Sequence, residues 1–137
     1  MQWDAGHQAG FTTAPKPWMR VNDNYTAINA ATQTSDPDSV FHCWRRVLEQ
    51  RKAHKDIFVY GDYRPIDEAH DKVLAYERVA ENGPTVLMAC NFSTEVVEWQ
   101  FDGHAKEIIV TSEKKQLKDV KGGKIKLEPC EAIALLL

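Results

Sequence analysis

The period of the apolar residues changes once along this chain, near residue 55, and that change limits the folds open to it. Between residues 36 and 54, Val40, Phe41, Trp44, Val47 and Leu48 recur on a single helical face, the spacing of a 3.6-residue period. Arg45, Arg46, Glu49, Lys52 and His42 lie opposite. The spacing predicts one amphipathic helix over 36–54, with Asp36 as N-cap, Pro37 in the first helical position and Asp38 complementing the helix dipole. From Ile57 onward the period is two. Ile57–Tyr63, Val73–Ala80, Thr85–Phe92, Glu95–Phe101, Glu107–Thr111, Lys124–Glu128 and Glu131–Leu137 read as strands. Glu81-Asn82-Gly83-Pro84 and Gly122-Gly123 supply turns between them. Many short strands at close spacing imply an antiparallel, Greek-key β-sandwich. The last segment, Ala-Ile-Ala-Leu-Leu-Leu, is too apolar for a frayed end and is expected to be a central core strand.

Ahead of the helix, residues 1–34 show neither period. Gly, Pro, Thr and Asn alternate with Trp3, Phe11, Trp18 and Tyr25, so this part reads as a long loop with one helical turn near Tyr25–Ala30. Loops longer than about 15 residues usually serve a site or belong to something larger.

The net charge of −3 gives no reason to expect nucleic acid or an anionic membrane as partner. The basic clusters Arg45-Arg46, Arg51-Lys52 and Lys114-Lys115 are expected on solvated faces. Cys43, Cys90 and Cys130 are too few and too scattered for a disulfide framework or a metal site, which points to reduced thiols and a cytoplasmic protein. The start of the chain has no signal-peptide pattern, and no apolar stretch reaches the roughly 20 residues that span a bilayer.

Reactive constellations are missing: there is no GxSxG elbow, P-loop, GxGxxG or HExxH. His7, His42, His54, His70 and His104 show no metal-ligand spacing. Cys43 and Cys90 read as inert, buried thiols, and Asp67, Glu68 and Asp71 as solvated loop acids. No catalytic residue, metal or cofactor is assigned from the sequence. The rings of the first segment lie among Gln2, Asp4, Lys16, Arg20 and Asn22. Such a mixture suits either a sugar, with its apolar faces and hydroxyls, or a loop tacked onto a core.

Met1-Gln2-Trp3-Asp4, Ala9-Gly10-Phe11-Thr12-Thr13 and Pro17-Trp18-Met19-Arg20-Val21-Asn22 together resemble one stretch of the α-glucosidase and oligo-1,6-glucosidase branch of the α-amylase family. The resemblance continues through Asp36-Pro37-Asp38-Ser39-Val40, Arg51-Lys52, Tyr60-Gly61-Asp62-Tyr63 and Asn91-Phe92-Ser93. It ends in Leu127-Glu128-Pro129-Cys130-Glu131-Ala132, where Cys130 stands at a position that is commonly tyrosine in the family. It implies that residues 1–55 are the end of a (β/α)8 barrel, a loop plus the final helix, and that residues 56–137 are the C-terminal sandwich.

The same resemblance implies that the catalytic carboxylates come from barrel segments preceding the match. The chain is thus expected to be a non-catalytic C-terminal portion of an α-glucosidase-type hydrolase acting on maltose- or isomaltose-class substrates. Gln2, Trp3 and Asp4 are its candidate substrate-wall residues. A free-standing sugar-binding or interaction module is the alternative. Two partners are implied besides an α-glucoside: the catalytic barrel, or a second copy of the chain meeting the face of Val40, Phe41, Trp44, Val47 and Leu48.

Overall fold

The computed structural model describes residues 1–137. The chain divides into two compact units, Met1–Arg46 and Val47–Leu137. No helix is long and apolar enough to cross a membrane.

The first unit is loop with little regular structure. Helix α1 spans Ala30–Ser35, and α2, Val40–Ala53, starts in this unit and ends in the next. The expected helix over 36–54 therefore begins four residues late. Asp36 is not its N-cap: it closes α1 in extended geometry (φ −99°, ψ 110°), and its carboxylate accepts from the Asp38 N–H at 2.9 Å. Ser39 takes the capping role. Its buried Oγ accepts from the His42 N–H at 3.3 Å and donates to the Gln33 carbonyl at 2.6 Å. A serine oxygen facing the third helical amide satisfies one of the orphan donors of the first turn. Arg51 and Lys52 lie in the last turn of α2, where positive charge complements the dipole. The helical turn expected near Tyr25–Ala30 is a series of tight turns over 22–28 that leads into α1.

The second unit is an antiparallel two-sheet sandwich. Short helix α3 (Lys55–Phe58) precedes strands β1 (Asp62–Ile66), β2 (Val73–Val79), β3 (Thr85–Asn91) and β4 (Val97–Gln100). These are followed by β5 (Glu107–Thr111), β6 (Val120–Lys121), β7 (Lys124–Leu127) and β8 (Ala132–Leu136). One sheet has the order β1-β2-β3-β8-β5 and the other β4-β7-β6. The last strand fills the gap between β3 and β5, which it reaches by a crossover rather than a hairpin.

One expected strand is displaced. Ile57 does not open a strand; it lies in α3 and is buried, and β1 starts only at Asp62. The apolar pair Ile57-Phe58 satisfies either period over so few residues. Pro65 sits within β1 without breaking it, because β1 is an edge strand that pairs only with β2.

Alternate residues of the strands meet between the sheets. Val73, Ala75, Leu87, Ala89, Ile133 and Leu135 face Trp99, Ile125 and Leu127 in one buried cluster. Trp99 stacks on Phe101 with centroids 5.7 Å apart, and its indole N–H donates to Asp67 at 2.9 Å. Asp67 is thus tied to the core tryptophan and is not a merely solvated loop acid. Strands β3 and β8 are apolar on both faces, since Val86 and Ala134 join a second cluster with Ile57, Ala80 and Ile109 on the far side of their sheet. Burial of both faces explains their continuous apolar runs.

Lys115 also departs from expectation. It does not sit on a solvated face: its side chain is 10% exposed and reaches Glu131, which is fully buried, at 2.6 Å. Asn91, part of a glycosylation sequon, is buried, and its side-chain amide donates to the carbonyls of Glu95 (2.7 Å) and Glu128 (2.9 Å). It acts as a clasp between chain segments.

Candidate functional site

The three candidate residues Gln2, Trp3 and Asp4 come together at the start of the first unit, on a strand-like stretch held by backbone hydrogen bonds on two sides. On one side the Gln2 and Trp3 carbonyls accept from the Ala30 and Ala31 amides at 2.8 and 2.9 Å. On the other, the Trp3 amide donates to the Ala9 carbonyl at 2.9 Å. The Trp3 backbone is fixed from both directions, while the residue as a whole remains 58% exposed.

Gln2 and Asp4 are engaged locally. The Gln2 amide donates from Nε2 to Asn24 Oδ1 at 2.8 Å, and Asp4 Oδ1 accepts from the Gly6 N–H at 2.8 Å. The turn that follows is left-handed at three successive residues: Gln8 (φ 52°), Ala9 (φ 51°) and Gly10 (φ 73°). L-residues enter this region singly if at all, because Cβ crowds the following carbonyl. Ala9 is nonetheless completely buried there. Gln8 Nε2 and the His7 ring bind the carbonyls of Pro15 (3.1 Å) and Ala14 (3.3 Å) and tie the turn to the loop beyond it.

Phe11 and Trp18 are exposed, and Tyr25 is half-buried. Arg20 pairs with Asp23 at the surface. No group of three or more His, Cys, Asp or Glu side chains is placed to hold a metal ion.

Asn29 organises the unit and carries only a weak sequence signal, an Asn three residues before a Thr. It is buried. Its Oδ1 accepts from both the amide and the hydroxyl of Thr32, and its Nδ2 donates to the Tyr25 carbonyl at 2.9 Å. It is the N-cap of α1, the helix whose first amides grip Gln2 and Trp3.

Residues 1–61 match the family model described as the catalytic domain of α-amylase. An α-glucosidase of Candida albicans is 35% identical over 134 residues, which is 96% of this chain and 22% of that protein. An oligo-1,6-glucosidase of Parageobacillus thermoglucosidasius is 36% identical, again over 96% of this chain and 24% of its own length. The chain belongs to the α-amylase family. Among solved structures, the trehalulose synthase of Pseudomonas mesoacidophila superposes with a TM-score of 0.88 at 35% identity, covering 98% of this chain and 24% of that one. The trehalose-6-phosphate hydrolase of Bacillus licheniformis gives a TM-score of 0.87 at 29% identity over similar shares. The chain therefore spans about a quarter of the length of the relatives it matches, and the part it corresponds to is C-terminal. This α-amylase-family chain corresponds to the C-terminal portion of such relatives.

Proposed function

We propose that these residues serve an α-glucosidase-type hydrolase acting on α-linked gluco-oligosaccharides of the maltose and isomaltose class, as support and substrate wall rather than as catalytic machinery. Residues 1–55 complete the (β/α)8 barrel, and residues 56–137 form the domain that follows it. Gln2, Trp3 and Asp4 line the sugar's approach. The chemistry of glycoside cleavage needs two carboxyl groups held across the scissile bond. In this reading both come from the catalytic barrel.

The observation that carries the reading is the apolar face of α2. Val40, Phe41, Trp44 and Leu48 are between 46% and 67% exposed, although the sandwich has a complete core of its own. Contiguous apolar surface of this kind marks an interaction site. In this reading the covering surface is the catalytic barrel, and relatives about four times as long, matched over nearly the whole of this chain, support it by their additional length.

The relatives also bear on specificity. Proteins named as an α-glucosidase, a trehalulose synthase and a trehalose-6-phosphate hydrolase all match this portion, which supports assigning the choice of linkage and reaction to other segments in this reading. The test is hydrolysis. The purified chain, incubated with p-nitrophenyl α-glucoside, maltose and isomaltose, is expected to release no product. Turnover by the chain alone overturns the reading.

A further inference from the structure

We propose that Asp4 is the positioning residue of this wall. Its carboxylate fixes the left-handed turn at His7–Gly10 and so holds Trp3, and the Trp3 indole is the group that meets the apolar face of a hexose ring. This rests on the reading of the loop as a sugar-facing wall and adds a division of labour within it.

The Asp4 carboxylate is engaged inside the loop through Oδ1. Oδ1 accepts from the Gly6 N–H at 2.8 Å. A Cβ added to Gly10 would lie 2.7 Å from Oδ2 and 3.0 Å from the Trp3 Cβ, and one added to Gly6 would lie 3.0 Å from Oδ1. The carboxylate thus lies close against the backbones of two glycines, Gly6 and Gly10. Gly10 can approach only because it lacks a side chain and adopts φ 73° freely.

The left-handed run at Gln8-Ala9-Gly10 is over-determined by its hydrogen bonds. Ala9 donates to the Gly6 carbonyl at 3.0 Å, and Phe11 donates to the Gln8 carbonyl at 3.0 Å. The Ala9 carbonyl accepts from Trp3 at 2.9 Å and from Asp4 at 3.4 Å. Strained backbone of this kind persists where the surroundings insist on it, and it concentrates at ligand clamps. What the strain secures here is the Trp3 backbone, while the indole stays open to solvent. An exposed ring on a fixed backbone offers its flat face to apolar C–H groups. Gln2 is less free, because its amide donates to Asn24.

The test uses amide and indole NMR signals of the 137-residue chain. In Asp4→Ala, exchange of the Trp3 and Gly6 amides is expected to accelerate about tenfold or more, the loss of one hydrogen bond's protection. The Trp3 indole N–H signal is expected to shift, with protection in β3 and β8 unchanged. Asp4→Asn keeps an oxygen facing Gly6 and should restore both signals. Unchanged Trp3 exchange and indole signal in Asp4→Ala overturn the positioning role. The wall itself is probed with maltose: saturating sugar is expected to move the wild-type Trp3 indole signal. A maltose-insensitive indole overturns the sugar contact and leaves the positioning result to stand separately.

Discussion

The Lys115 ammonium lies 2.6 Å from the Glu131 carboxylate, and the two are the most deeply buried ion pair of the molecule. Glu131 sits just ahead of the central strand β8. It also accepts from the Glu128 amide at 2.8 Å and from the Thr111 hydroxyl at 3.3 Å, while Lys115 donates to the Lys126 carbonyl as well. The cluster therefore ties the entry of β8 to the ends of β5 and β7. Removing one member strands a charge. Lys115→Met is expected to cost about 3–5 kcal/mol in urea unfolding, whereas Lys115→Met combined with Glu131→Leu recovers much of that loss. Equal losses in the single and double variants would show that packing, not the stranded charge, dominates.

Asn29 grips both ends of its turn. Asn29→Ala is expected to destabilise α1 by about 1–2 kcal/mol, as other lost N-caps do. Hydrogen exchange of residues 30–35 measures it, and faster exchange of the Ala30 and Ala31 amides should accompany it, because they hold the Gln2 and Trp3 carbonyls.

Cys130 occupies a left-handed position, φ 58°, in the exposed turn between β7 and β8. A side chain there carries steric strain that glycine does not. Cys130→Gly is expected to raise stability by about 1 kcal/mol in thermal or urea unfolding. A loss of stability would mean that the weak contact from the thiol to the Ser93 carbonyl outweighs the strain.

The three thiols should react in order of exposure. Burial pushes the Cys90 thiol up from its ordinary value, so less of it is thiolate near neutral pH and its reaction is slowed twice, by access and by ionisation. Cys130 is exposed. Alkylation at pH 7.5 followed by peptide mass spectrometry should label Cys130 first, with Cys90 slower by about tenfold or more. Raising the pH should narrow the gap.

The open face of α2 gives a prediction for the chain in solution. With Phe41 and Trp44 uncovered, sedimentation velocity should show concentration-dependent association, and Trp44→Glu should abolish it without lowering the stability of the sandwich. A monomer at all concentrations would contradict this.

The sandwich is largely legible from sequence, for identifiable reasons. Strands β3 and β8 carry apolar residues on both faces, and Asn82-Gly83 marks the turn between β2 and β3 and Gly122-Gly123 the turn between β6 and β7; Asn82, Gly122 and Gly123 all adopt positive φ. Where period is weak, legibility fails. Ile57-Phe58 fits a strand as well as a helix, and only its burial against Val86 and Ala134 decides between them. β6 is two residues long, too short for any period. Lys115 reads as a surface lysine because its partner Glu131 is 16 residues away. The candidate site is legible only in part. The residue cluster Gln2-Trp3-Asp4 stands out, but the buried cap at Asn29 and the left-handed run through Gln8 and Ala9 do not. Asn29 is a favoured cap type but precedes a six-residue helix with no apolar period to announce it, and Gln8 and Ala9 are held in the left-handed region against local preference by tertiary hydrogen bonds.

The most direct measurement is activity of a chimera in which this chain replaces the matching C-terminal quarter of the Parageobacillus thermoglucosidasius oligo-1,6-glucosidase. The chimera, shown to be folded by circular dichroism and sedimentation, is expected to hydrolyse isomaltose. Trp3→Ala within it should raise KM about tenfold while kcat changes by less than about threefold, the signature of lost substrate binding. A folded chimera that is inert, or one in which Trp3→Ala leaves both constants unmoved, would contradict the assignment of these residues as support and sugar-facing wall.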